Sequence, residues 1–212
     1  GGSIAPMVAN ESDDIAFMVL LAGTAVPGKE ISLRQAMELM VFRPSEIQDS
    51  VAYRNFVKKL IDISSSEKAI PEKREGMTKL WESVKPFLKT ILPEGTDIDA
   101  YISKSVNRSL SPWVQYFYNY NPAEELETVT IPVLSLNGSN DIQVIAEINQ
   151  PAIKAALERA GNDDYKIIEL EGLNHMFQES KTGSMMEYQK IEQTFSPLAM
   201  DIITKWIKEH IK

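Results

Sequence analysis

Apolar positions along the chain fall into one unbroken run, two further strand-length stretches and a series of helical stripes. Ile15 to Ala22 is one continuous run, as expected for a strand buried on both faces of a parallel sheet. Pro132 to Leu136 predicts a second buried strand, and Tyr165 to Leu170 a third. From Ser32 to about Glu125 the periodicity is helical throughout. Leu33, Met37, Met40 and Val41 form one stripe, opened by a capping box of Ser32 and Gln35. Ser45 is the candidate cap of a second helix, striped by Tyr53, Phe56, Val57, Leu60 and Ile61. A third carries Met77, Leu80, Trp81, Val84 and Leu88, with Pro86 as a kink. Ile98, Ile102 and Val106 predict a short helix. Ser111-Pro112 reads as a cap with proline in the first turn, leading into Trp113, Tyr116, Phe117, Tyr118 and Tyr120.

On either side of this helical stretch, strands and helices alternate. Gly1 to Ala9 predicts a short helix with Ile4, Met7 and Val8 on one face. Pro151 is expected to open a helix along Ile153, Ala156, Leu157 and Ala160, closed by Gly161. Lys181 to Ser184 reads as a mobile loop, and Ser196-Pro197 starts a final amphipathic helix along Ala199, Ile202, Ile203, Trp206 and Ile207. Such alternation implies a parallel sheet, hence an α/β class. The expected division is 1–28 as the start of the α/β part, 29–125 as a helical insertion, and 126–212 as the rest of the α/β part. Three strands are few for 212 residues, so the expected sheet is partial.

Composition narrows the function classes. The formal net charge of −8 argues against a nucleic-acid surface. Without cysteine there is no disulfide, no thiolate metal site and no cysteine nucleophile. The longest apolar run is strand-sized, too short for a membrane span. The two histidines are far apart in sequence and the carboxylates are scattered, so no metal site is expected; no Gly-rich phosphate loop appears and no cofactor is implied. Composition leaves the compartment open.

Chemistry concentrates at the ends of two predicted strands. Leu136-Asn-Gly-Ser-Asn-Asp141-Ile-Gln143-Val144 follows the second, and Glu171-Gly-Leu-Asn174-His175-Met-Phe-Gln178 follows the third. A strand-turn-Asp followed by a strand-turn-His matches the order of the last two members of an α/β-hydrolase triad. Histidine titrates near neutral pH and suits general base and acid work, and a carboxylate on its other nitrogen fixes the tautomer. Each residue also has a plain reading, as a loop histidine and a turn aspartate. Asp163 and Asp164 read as solvated, Asn174 as shaping its turn, and Gln143 either as steadying the acid loop or as solvated.

These motifs resemble α/β-hydrolase carboxylesterases of the serine-aminopeptidase-like branch. Gly1-Gly2-Ser3-Ile4-Ala5-Pro6 resembles the tail of that branch's nucleophile elbow. Lys181-Thr-Gly-Ser184 and Ser196-Pro197 fit as well, so the resemblance covers essentially the whole chain. It implies a partial α/β-hydrolase fold with an inserted helical cap, Asp141 and His175 as catalytic acid and base, and a small ester as substrate. The nucleophilic serine would lie two residues before Gly1, with the oxyanion donors also upstream. The chain is then expected to be a fragment, inactive alone, with about 100 or more residues preceding it. Its exposed half-sheet would favour a homodimer or a domain swap. The alternative is a non-catalytic or binding module. Ser3 lacks the glycine that an elbow needs two residues on, and Ser111 reads as a helix cap. Trp113 and Phe117, spaced i and i+4, are the candidate substrate-binding residues of an acyl pocket; the other aromatics, with Met37 and Met40, read as packing.

Overall fold

The computed structural model describes the backbone of residues 1–41 and 49–211. Two compact units emerge, one formed by Gly1–Val26 together with Asn121–Lys212, the other by Pro27–Tyr120.

The first unit is built on a parallel sheet of β1 (Met18–Leu21), β2 (Val133–Gly138) and β3 (Tyr165–Leu170), in the order β1-β2-β3. Met18 lies beside Val133, which lies beside Tyr165. Side chains alternate across a strand, and here both faces are apolar. Met18, Leu20 and Val133 pack with Leu126 of α8 (Pro122–Leu126) and with Ile153, Ala156 and Leu157 of α9 (Ala146–Arg159). Leu134, Leu136 and Leu170 pack on the opposite face with Ala199 and Trp206 of α10 (Pro197–His210). Every residue of β2 is buried, and each such Leu or Val contributes roughly 1.5–3 kcal/mol.

Several expectations need correction. The run from Ile15 pairs only from Met18, whose N–H donates to Pro132 O at 2.9 Å. Pro132 has no N–H with which to carry the ladder further back, and Phe17 instead packs edge-on against Trp206. At the other end Ala22 adopts φ +50°, which turns the chain out of the sheet. Helix α1 (Ala5–Glu11) buries Pro6, whereas Ile4 and Val8 are 49% and 45% exposed. A Cβ on Gly2 would lie 2.7 Å from Gly23 Cα, and this close approach accompanies the inward turn of Ala5 and Pro6. Pro151 does not open α9 but sits inside it, on an exposed position. Burial of Ala146, Asn149 and Gln150 in the first turns outweighs the proline's preference for a helix start. The segment Lys181–Ser184 does not hang free: Gly183 N–H donates to Ser180 Oγ, and Gly183 and Ser184 are both buried.

Asp164 is not merely solvated. His210, in the last turn of α10, stacks on Trp206 and lies 2.7 Å by Nδ1 from the Trp206 carbonyl. Its Nε2 lies 3.4 Å from Asp164 Oδ1. The Trp206 carbonyl, then Asp164 and Glu209, raise the histidine's pKa above its ordinary 6.5. A raised pKa adds stability that is fully present below the unfolded value and is lost as pH rises through the folded one. The melting-temperature gap between the wild type and His210→Gln is therefore expected to be wider at pH 5.5 than at pH 8.5, as read by calorimetry.

The second unit is helical: α2 (Gly28–Val41), α3 (Ser50–Ser65), α4 (Ile70–Ser83), α5 (Lys85–Ile91), α6 (Ile98–Ser109) and α7 (Pro112–Asn119). Its core joins Met77, Leu88, Ile102, Val106 and Leu110. Helix α2 begins at Gly28, so Ser32 is inside it and is not its cap. A Cβ on Gly28 would fall 2.1 Å from Phe117 O. The Ser45 cap falls outside the described residues; α3 is capped by Asp49, which accepts from Ala52 N–H. Pro86 separates two helices instead of kinking one, with Val84 as the junction. Ser111 caps α7 as expected. No residue of α7 is fully buried; Phe117, Tyr118 and the following Tyr120 are half-buried, while Trp113 and Tyr116 are exposed. The buried Lys73 donates to Ser64 O at 2.9 Å and to Gln115 Oε1 at 2.6 Å, which places its charge at the carbonyl end of α3.

Candidate functional site

The site stands where β2 and β3 end. Gly138 is paired with Leu170, so the acid and histidine loops leave adjacent strands at their carboxyl ends. In open parallel sheets this is where ligands bind. The two loops then fasten to each other. Ser139 N–H donates to Leu170 O, Asn140 N–H to Leu173 O, and Gly172 N–H to Ser139 Oγ, at 2.9, 3.0 and 2.8 Å. Gly138 lets the backbones meet: a Cβ there would sit 2.0 Å from Leu173 O.

The two loops bring Asp141 and His175 together. His175 Nδ1 lies 2.8 Å from Asp141 Oδ2. The aspartate side chain is wholly buried, and the imidazole is 31% exposed. Asp141 Oδ1 accepts N–H bonds from Gln143 and Val144, each at 2.8 Å, and Asn137 Nδ2 donates to Oδ2 at 3.3 Å. An accepting carboxylate at Nδ1 keeps the ring proton there, which leaves Nε2 as the basic nitrogen. Among the described residues no hydrogen-bond partner is found for Nε2.

Beneath the histidine, Asn174 shapes the turn. It is completely buried, and its Oδ1 accepts from Met176 and Gln178 N–H at 2.9 and 3.0 Å. Its Nδ2 donates to Gln178 Oε1, and Gln178 Nε2 reaches Gln193 O. Phe177 is held at φ +56°, a left-handed conformation unusual for an aromatic residue. Its ring stacks on Phe195 at 5.3 Å. Strain of this kind persists where the surroundings over-determine it.

Other candidates fall elsewhere. The Gln143 side chain reaches beyond its own loop: its Nε2 donates to Tyr188 Oη at 2.7 Å. Ser3 shares a hydrogen bond with Thr24. Trp113 and Phe117 belong to α7 in the helical unit, with their rings stacked at 6.1 Å and Trp113 65% exposed.

Asn137 and Tyr188 were not singled out from the sequence. Asn137 carried one signal, an amide inside an apolar strand run, and such a buried group needs partners. Tyr188 carried none, because its link to Gln143 spans two loops distant in sequence. No known protein-family model matches the chain, and no curated protein matches it significantly in sequence.

Proposed function

We propose that the chain supplies the acid and the base of a Ser-Asp-His triad in a capped α/β-hydrolase, acting as a carboxylesterase on small esters. The observation that carries this reading is the 2.8 Å contact between Asp141 and His175 at adjacent strand ends. The nucleophile is a serine from outside these 212 residues. It attacks the ester carbonyl while His175 Nε2 takes its proton, then returns that proton to the leaving alcohol. Water deacylates the serine by the same route. Asp141 keeps the ring in the required tautomer and stabilises the imidazolium. The ester class and the short acyl group rest on the resemblance to carboxylesterases.

A fluorophosphonate probe tests this, with the labelled residue mapped by mass spectrometry on this chain and on the product of its complete gene. Labelling of the gene product alone, at a serine two residues before Gly1, is the expected result. Labelling of Ser3 or Ser111 would overturn the placement of the nucleophile. Labelling of neither protein would favour a second reading, a non-catalytic module that self-associates. That reading draws on the open edge of β1 among the described residues, together with the exposed Ile4 and Val8. Light scattering checks it: a monomer at high concentration counts against it.

A further inference from the structure

The acid loop is clamped from two sides, and the histidine loop supplies only one of them. The other is the segment Ser180–Lys190, which ends in the 3-10 helix Met185–Lys190. Asn140 Nδ2 donates to Ser180 O at 2.8 Å. Gly183, at φ +75°, comes so near that a Cβ would lie 1.9 Å from Asn140 O. Farther along, Tyr188 Oη takes the Gln143 side-chain N–H at 2.7 Å. The Gln143 backbone N–H is itself one of the two that hold Asp141 Oδ1. A short chain of bonds therefore runs from Tyr188 through one residue to the carboxylate facing His175.

From this we infer that Tyr188 is a positioning residue for the acid: its hydroxyl anchors Gln143 and so fixes the direction in which Asp141 presents Oδ2 to His175. The inference rests on the triad reading for its catalytic consequence, but not for its structural one. Gln143 has two roles at once, with its backbone on Asp141 and its side chain on Tyr188, so freeing the side chain loosens the peptide that holds the acid. Burial and the nearby Asp141 charge push the Tyr188 phenol above its usual value. The hydroxyl thus stays neutral through the physiological range, where it accepts the amide proton without adding a charge beside the aspartate.

The test uses Tyr188→Phe, Gln143→Ala and the double variant in the product of the complete gene. The low-field proton resonance of His175 Nδ1–H reports the bond to Asp141 directly, and kcat/KM on a p-nitrophenyl ester reports its use. Each single variant is expected to shift or broaden that resonance and to lower kcat/KM about ten- to a hundredfold, as small misplacements do. The double variant is expected to be no worse than the poorer single one, since the two groups act as one device. An unmoved resonance in Tyr188→Phe, or losses that simply add, would overturn the inference. A fall in melting temperature alone, with the resonance in place, would reduce Tyr188 to a packing role and overturn it equally. If Tyr188→Phe fails to fold, Gln143→Ala carries the same readout. A wild type without esterase activity whose resonance still responds to Tyr188→Phe would sink the hydrolase reading and leave the positioning role standing.

Discussion

Replacing His175 with alanine is expected to lower ester turnover by about three to four orders of magnitude with little loss of stability. The imidazole is part-exposed, and among the described residues its ring bonds to Asp141 alone, so its removal opens no large cavity. On the triad reading proposed above, removing it deletes the group that takes the serine proton. Asp141→Asn is expected to cost turnover about as much, by a different route. Asparagine can still accept the Gln143 and Val144 N–H bonds at the Oδ1 position. Its amide NH2 would then face both His175 Nδ1 and Asn137 Nδ2, which are donors. The ring would have to present an unprotonated Nδ1, leaving the proton on Nε2 where the base is needed. Steady-state kinetics on p-nitrophenyl acetate and butyrate, with circular dichroism as a folding control, measure both variants. Turnover of His175→Ala within a few-fold of wild type would end the triad reading.

Gly138→Ala is expected to destabilise the first unit by about 3 kcal/mol and to separate the two loops. The added methyl would meet a backbone carbonyl, Leu173 O at 2.0 Å, with no flexible side chain to yield. The histidine loop would have to retreat by more than about 1 Å to reach ordinary contact distance. Such a shift strains the Asn140-to-Leu173 bond and opens the gap between Asp141 and His175. Denaturant unfolding measures the first effect, and the His175 Nδ1–H resonance the second. Wild-type stability with an unchanged resonance would show that the loops have slack the geometry does not reveal.

Sequence pattern made β3 legible to the residue, because Tyr165–Leu170 is a run bounded by turn residues on both sides. Strand β1 is shorter than the run Ile15–Ala22: Ala16 and Leu21 are exposed, and Phe17 is half-buried against Trp206 without strand pairing. The cap at Ser32 failed because α2 begins at the glycine that lets its backbone approach Phe117, a tertiary contact that capping patterns do not carry. The start of α9 is hidden for a similar reason, since buried Ala146 and Asn149 extend the helix ahead of Pro151, where local proline rules would start it. In the site, Asp141 and His175 were readable from strand-turn order. The clamps around them were not: Gly138 against Leu173, Gly183 against Asn140, and Tyr188 on Gln143 each join loops distant in sequence.

The order of the strands bears on how the protein folds. β2, α9 and β3 follow one another, and they carry both the acid and the histidine loops on local connections. β1 joins them by pairing Met18, Val19, Leu20 and Leu21 with Val133, Leu134, Ser135 and Leu136, after the intervening Pro27–Tyr120 stretch of the chain. Closing so long an intervening segment costs entropy before the pairing returns any energy, and such distant contacts slow folding. The Asp141–His175 pair thus belongs to the part of the sheet that can assemble early, while the edge strand docks late. Slow refolding phases should then report β1, and the two site loops should gain amide-exchange protection ahead of it.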